Sequence, residues 1–117
     1  MRVVRVIGGP SGTMIANHTE VAETSFTRMK GLLGRTSLDA GAGLWIKPSS
    51  GVHTIAMKFA IDVIGLDGNR RVIKLWQNLV PYRITSVSTK LRSVVELPSG
   101  RIAECSVKLG DMLEIIE

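Results

Sequence analysis

Ile61-Asp62-Val63-Ile64-Gly65-Leu66-Asp67-Gly68-Asn69-Arg70-Arg71-Val72-Ile73-Lys74-Leu75-Trp76 reads as two β-rich runs on either side of Asp67-Gly68-Asn69. Asp-Gly between apolar, β-branched runs is a strong hairpin signal, because glycine reaches the positive φ that tight turns need. Similar short runs continue in both directions. Upstream, Val3 to Ile7 closes at Gly8-Gly9-Pro10-Ser11-Gly12, and Thr13 to Asn17, Thr19 to Ala22, Leu44 to Lys47 and Val52 to Met57 read as extended. Downstream, Tyr82 to Val87, Arg92 to Leu97, Arg101 to Glu104 and Met112 to Ile116 follow, with turns at Pro98-Ser99-Gly100 and Leu109-Gly110-Asp111. Short strands punctuated by turn residues predict a mainly β fold, an antiparallel barrel or sandwich, rather than alternating β and α units.

One helix is expected, from about Ser25 to Leu33. Thr24 or Ser25 can cap its start, Gly34 can end it, and Phe26, Met29, Leu32 and Leu33 form an apolar stripe at helical spacing. Gly31 inside that stretch costs roughly 1 kcal/mol relative to alanine. Either the helix is short or something approaches its backbone closely.

The 117 residues fit one domain, 1–117, since two halves would each be too small to bury a useful core. Aromatic residues make up only 4% of the chain, so aliphatic side chains must fill that core, and valine and isoleucine favour a pleated backbone. The lone Cys105 forms no internal disulfide, no Cys/His cluster has ligand spacing, and neither a metal site nor a cofactor is expected. There is no G-x-S-x-G elbow and no phosphate-cradling loop, so the sequence names no catalytic residue. Arg5 interrupts the apolar N-terminal run and no stretch reaches the length of a membrane span, which predicts a soluble, cytoplasmic protein with no membrane partner.

Between Asp67 and Glu96 stand Arg70, Arg71, Lys74, Arg83, Lys90 and Arg92 with no acidic residue among them. Such a strip could attract nucleic acid or another polyanion, although only Trp76 and Tyr82 offer stacking surfaces there and a solvated basic face is the simpler explanation.

Val52-His53-Thr54-Ile55-Ala56-Met57-Lys58-Phe59-Ala60-Ile61-Asp62 is apolar apart from a histidine near its start, a lysine and a terminal aspartate. Burying a polar group without a partner costs roughly 2 to 7 kcal/mol, so His53 and Asp62 must be paired, exposed or functional. Side chains alternate along a strand, which sends His53 and Asp62 to opposite faces unless a break near Lys58 to Ala60 shifts the register by one. On one side they form an acid–base pair or binding switch; apart, His53 is a core residue. Arg28 and Arg35 flank Gly31-Leu32-Leu33-Gly34 and could clamp an anion or pair with a carboxylate, Asp62 and Glu96 being the obvious partners.

Arg28-Met29-Lys30-Gly31-Leu32-Leu33-Gly34-Arg35, Gly43-Leu44 with Pro48, Val52-His53-Thr54 with Met57, Ile61-Asp62-Val63, Leu66-Asp67, Glu96-Leu97-Pro98-Ser99-Gly100 and Gly110-Asp111 together resemble the DUF192 (UPF0127) family, from about Ala16 to Glu114. The resemblance implies a small barrel-like or sandwich-like β domain with a short helix after the first strands, and no assigned reaction. Many such proteins carry an export or lipoprotein leader, whereas the interrupted N-terminal run leads to the expectation of none here. Two departures stand out: Ser49 where a cysteine is common, which removes any thiol role there, and Ala60 where a proline is common, which implies a backbone break at that point.

The expected function is therefore a small binding or accessory module for an unidentified small molecule or protein, with Arg28, Arg35, His53, Met57 and Asp62 lining its site. The alternatives are an enzyme using His53 and Asp62 as an acid–base pair with Arg35 stabilising an anion, and a polyanion-binding surface over 70–92.

Overall fold

The computed structural model describes residues 2–9, 11–32, 34–51, 57–85 and 88–117. The hairpin expected at Asp67-Gly68 joins β4 (Ile61–Leu66) to β5 (Val72–Leu79). The Asp67 side chain closes the turn by accepting the backbone N–H groups of Asn69 at 2.8 Å and Arg71 at 3.0 Å, and the Arg71 bond holds its carboxyl below the usual carboxylate range. The other strands are β1 (Val3–Gly8), β2 (Thr13–Ala22), β3 (Ala42–Ile46), β6 (Ser93–Pro98) and β7 (Leu113–Ile116). They make one sheet in the order β5-β4-β6-β3-β2-β1-β7. Thr13 to Ala22, read as one extended region, is a single strand.

Every neighbouring pair is antiparallel except β2 and β3, which run parallel and correct the expectation of a wholly antiparallel sheet. The sheet curls until its two ends meet at one point. Arg71 bridges Met112, Val72 N–H donates to Asp111 O at 2.8 Å, and Gly110 N–H donates to Val72 O at 2.8 Å. The result is a half-barrel of mainly β structure.

Register assigns each side chain to a face, because residues directly opposite in neighbouring strands point the same way. Val21, Trp45, Val95, Ile64 and Leu75 form one row on the concave side, where they join Val4, Val6, Ile15, Leu97 and Leu113 in the main core. The adjacent row, Glu20, Leu44, Glu96, Val63 and Trp76, points outward. Leu44, Val63 and Trp76 build a second apolar cluster there with Leu32, Met57, Ile61, Leu91 and Val94. The central strands β4 and β6 are therefore buried on both faces.

The expected helix is present but shorter. α1 (Ser25–Lys30) starts at Thr24, whose hydroxyl accepts the Thr27 N–H at 3.0 Å while the Thr27 hydroxyl accepts the Thr24 N–H at 3.1 Å. It ends at Gly31 (φ +49°), whose N–H donates to Thr27 O, so the glycine that strained a longer helix is its terminus. Leu32 is buried in the outer cluster, and Leu33 lies outside the described residues.

Arg101 to Glu104, expected as a strand, belongs instead to a second short helix, α2 (Arg101–Cys105). Gly100, at φ +95°, turns the chain out of β6, and Ile102 inserts into the concave core. Arg101 Nε and Nη2 donate to the carbonyls of Ile15 (2.8 Å) and Met14 (3.0 Å), tying α2 to β2. Of Tyr82 to Val87, also read as extended, residues 82–85 form no regular strand, Tyr82 and Ile84 are exposed, and residues 86 and 87 lie outside the described residues.

Candidate functional site

Two carboxylates are buried in the middle of the sheet, on adjacent strands and opposite faces. Asp62 sits beside Leu97 and shares its concave side, where it is 0% exposed. Its Oδ1 accepts Asn78 N–H at 2.9 Å; its Oδ2 accepts Gly100 N–H at 3.1 Å and Ile102 N–H at 2.9 Å. Asn78 (φ +51°) lies where the register between β4 and β5 slips, and Gly100 and Ile102 are the N-terminus of α2. Asp62 thus joins three backbone elements, and its oxygens are engaged in holding them.

Glu96, on β6, projects from the outer face and is 3% exposed. Among the described residues its Oε1 has no hydrogen-bond partner, and burial pushes the carboxyl's pKa up to about 7. Desolvation disfavours the charged form and is the cause of the shift. The group lies under the end of α1: a Cβ added to Gly31 would sit 4.0 Å from Glu96 Oε1, 4.0 Å from Ile46 Cδ1 and 3.9 Å from Arg28 O.

Arg28, one helical turn back, donates from Nη1 to Pro48 O at 3.3 Å, while its Nε is buried without a partner. Arg35 pairs with Glu20, Nη2 to Oε2 at 2.9 Å, in a half-exposed ion pair. Met57 is buried in the same outer cluster as Leu32 and Val63. Of the residues named from the sequence, Met57 is thus packed into the outer face, Arg28 reaches it from α1, Arg35 joins it through Glu20, and Asp62 is on the other side. His53 lies outside the described residues. The chain bends at Lys58 and Phe59 before β4 begins at Ile61, close to the break expected near Ala60.

The sequence reading treated Glu96 only as a possible arginine partner and overlooked Glu20. Its own signal was available, since Ser93-Val94-Val95-Glu96-Leu97 is as apolar around its carboxylate as the segment ending at Asp62. No group of three or more histidine, cysteine, aspartate or glutamate side chains among the described residues could hold a metal ion. The basic residues over 70–92 are spread out: Arg70 lies 5.1 Å from the Trp45 ring centroid with Lys47 Nζ at 4.4 Å, Arg71 donates to Gly110 O at 2.9 Å, and Lys74 is exposed.

A separate cavity of about 390 Å³ lies between the turn after β1 and the end of α2, lined by Ser11, Thr13, Cys105, Lys108 and Asp111 among others. Burial pushes the pKa of the Cys105 thiol up, and the thiol points toward Met14 O at 3.8 Å. No helix among the described residues is long and apolar enough to cross a membrane.

The profile of DUF192, a family described as "Uncharacterized ACR", matches residues 8–115. A UPF0127 protein from Thermococcus gammatolerans is 29% identical over 113 residues, 92% of this chain and 72% of its own length. A UPF0127 protein from Pyrococcus furiosus is 39% identical over 66 residues, 56% of each chain. A solved protein of unknown function from Novosphingobium aromaticivorans is 28% identical with a TM-score of 0.79, covering 96% of this chain and 83% of that one. A putative transcription regulator from Sinorhizobium meliloti is 23% identical with a TM-score of 0.82, covering 97% and 92%; at that identity the likeness shows the fold alone.

Proposed function

The chain belongs to the DUF192 family, and from that premise we propose that it is a small binding or accessory module whose ligand site is the outer face of the sheet beneath α1. The observation that carries this reading is the almost fully buried carboxyl of Glu96, whose Oε1 has no hydrogen-bond partner among the described residues, with the Nε of Arg28, likewise without one there, on the helix that covers it. Buried polar atoms are nearly always bonded in folded proteins, and each exception calls for an explanation, of which a partner arriving from outside is the one adopted for Glu96; Thr19 Oγ1 and Trp45 Nε1 are further exceptions among the described residues. Arg28, Arg35 and Met57 belong to this reading. Asp62 is better explained as a brace for the fold.

The alternative of an acid–base enzyme shifts accordingly. Asp62 has its oxygens occupied by backbone donors, whereas Glu96 has a pKa pushed up to about 7 and an Oε1 without a hydrogen-bond partner among the described residues, the properties wanted of a general acid or base.

Backbone amide NMR with a panel of small acids, amines, amides and sugars tests the binding reading. Shifts should concentrate on residues 28–35, 44–46 and 94–96. Shifts confined to the cavity beside Cys105, or to the basic residues between 70 and 92, would move the site elsewhere. A His53→Ala variant in the same titration asks whether the imidazole contributes.

A further inference from the structure

We propose that the loop after β5 docks this protein, peripherally and reversibly, on an anionic lipid surface, with Tyr82 and Ile84 entering the interfacial layer and Arg83 and Lys58 facing the headgroup phosphates. The inference stands on other residues than the outer-face site and does not depend on it.

Folding gives no reason for the form of this loop. Tyr82 is 71% exposed and Ile84 72%, the highest values for large apolar side chains among the described residues. Single surface hydrophobes are ordinary, but these two flank one arginine on the same short loop. Tyr82 also holds φ +65°, a left-handed conformation in which a bulky side chain crowds its own backbone. The chain therefore keeps a strained backbone at a residue whose ring adds little to the packing. Strain of that kind collects where a protein meets a ligand or partner. Behind the tip the chain turns inward again at Thr85, which is buried.

The charge around the tip decides what it meets. Residues 40–95 carry eight lysines and arginines against two acids, Asp62 and Asp67, whereas the rest of the chain carries seven against eight. The half of the sequence that holds the loop is thus strongly positive. Lys58 is exposed at the same end of the sheet: Ile61 pairs with Leu79, and Lys58 and Tyr82 each stand three residues beyond that pair. An anionic surface is attracted to this end.

The apolar groups separate a membrane from a nucleic acid. Ile84 has no π-face on which a base can stack, and Tyr82 is the one ring at the tip. Both side chains suit the boundary between headgroups and acyl chains. Basic side chains near an anionic bilayer gain about fivefold each in partitioning without a fixed partner, which fits charges spread over a projecting surface rather than gathered in a pocket. No helix among the described residues can cross a membrane, so the contact is peripheral.

The full chain is sedimented with vesicles of phosphatidylcholine alone and of phosphatidylcholine containing one quarter phosphatidylglycerol, at low and at high salt. It should pellet with the anionic vesicles only, and less as salt rises. Tyr82→Ser combined with Ile84→Ser should weaken that binding about tenfold, and Arg83→Gln combined with Lys58→Gln about 25-fold. Tyr82→Gly, which relaxes the backbone, should raise the thermal midpoint while weakening the binding. In the unmodified chain, a spin-labelled lipid in the anionic vesicles should broaden the amides of residues 82–84 before others, a readout that needs no variant to fold. Binding untouched by the serine pair, or broadening centred elsewhere, overturns the role of this loop. Equal pelleting with both vesicle types overturns the anionic partner. Failure to pellet with either type overturns the proposal outright, and if a single-stranded oligonucleotide then shifts the same amides, the surface belongs to nucleic acid instead.

Discussion

Asp62 and Glu96 are carboxylates on neighbouring strands, one residue out of register, and each is removed from water. They differ in what reaches them. Asp62 receives three backbone N–H groups from the β5 irregularity and the start of α2, whereas Glu96 Oε1 receives none. Burial alone therefore does not identify a functional acid; the number of donors aimed at it separates a brace from an available group. A saturated carboxylate stores its interaction energy in the fold, and an unsaturated one leaves that energy to be gained on binding.

Deleting the brace should have the largest effect. Asp62→Ala leaves three backbone donors unpaired at buried or half-buried sites and is expected to cost about 4 kcal/mol of stability, measured by denaturant unfolding. A loss below about 1 kcal/mol would erase the distinction between the two carboxylates.

The second experiment reads Glu96 through pH. Its pKa in the folded chain is pushed up to about 7 from 4.5, so between those values the folded state holds a proton that the unfolded state has released. Stability must then fall as pH rises from about 4.5 to about 7 and level off above. At about 1.4 kcal/mol per unit the decline amounts to about 3 kcal/mol, and Glu96→Gln should abolish it. Chemical unfolding of both proteins from pH 4 to 8.5 measures the difference.

Packing over the outer face gives a smaller effect. A Cβ at Gly65 would lie 2.6 Å from Leu91 Cδ1, 3.0 Å from Lys74 Cβ and 3.2 Å from Trp76 Cζ3. Gly65→Ala should cost about 1 to 3 kcal/mol by overpacking. Its thermal midpoint should fall while the pH decline assigned to Glu96 persists. The smallest effect belongs to the half-exposed Arg35 to Glu20 pair: a double-mutant cycle with Glu20→Gln and Arg35→Gln should give a coupling of about 1 kcal/mol or less, shrinking with salt.

What could be read beforehand was local. Asp67-Gly68 encodes its turn within a few residues, and Thr24 with Thr27 encodes the start of α1. Residues 101–105 could not be read in the same way, because the donors opening that helix are held by a carboxylate 38 and 40 positions earlier. The separation of Asp62 from the Arg28 side was equally hidden, since it depends on the pairing of β4 with β6 rather than on either strand's composition. Arg28, Arg35 and Met57 were named as candidates through motif spacing. Glu96 was passed over because strand alternation normally leaves one face wet, and β6 is covered on both.

The parallel pairing of β2 and β3 has a consequence for that second covering. An antiparallel neighbour could have followed β2 through a tight hairpin, but a parallel one obliges the chain to travel back the length of the sheet before it can pair. The return path carries Thr24 to Gly31 to the outer surface, with Gly31 coming to rest near Glu96 Oε1. The shelter over that carboxyl is thus a by-product of strand direction: reverse one strand and the helix would have no route to follow, and Glu96 would be an ordinary surface acid.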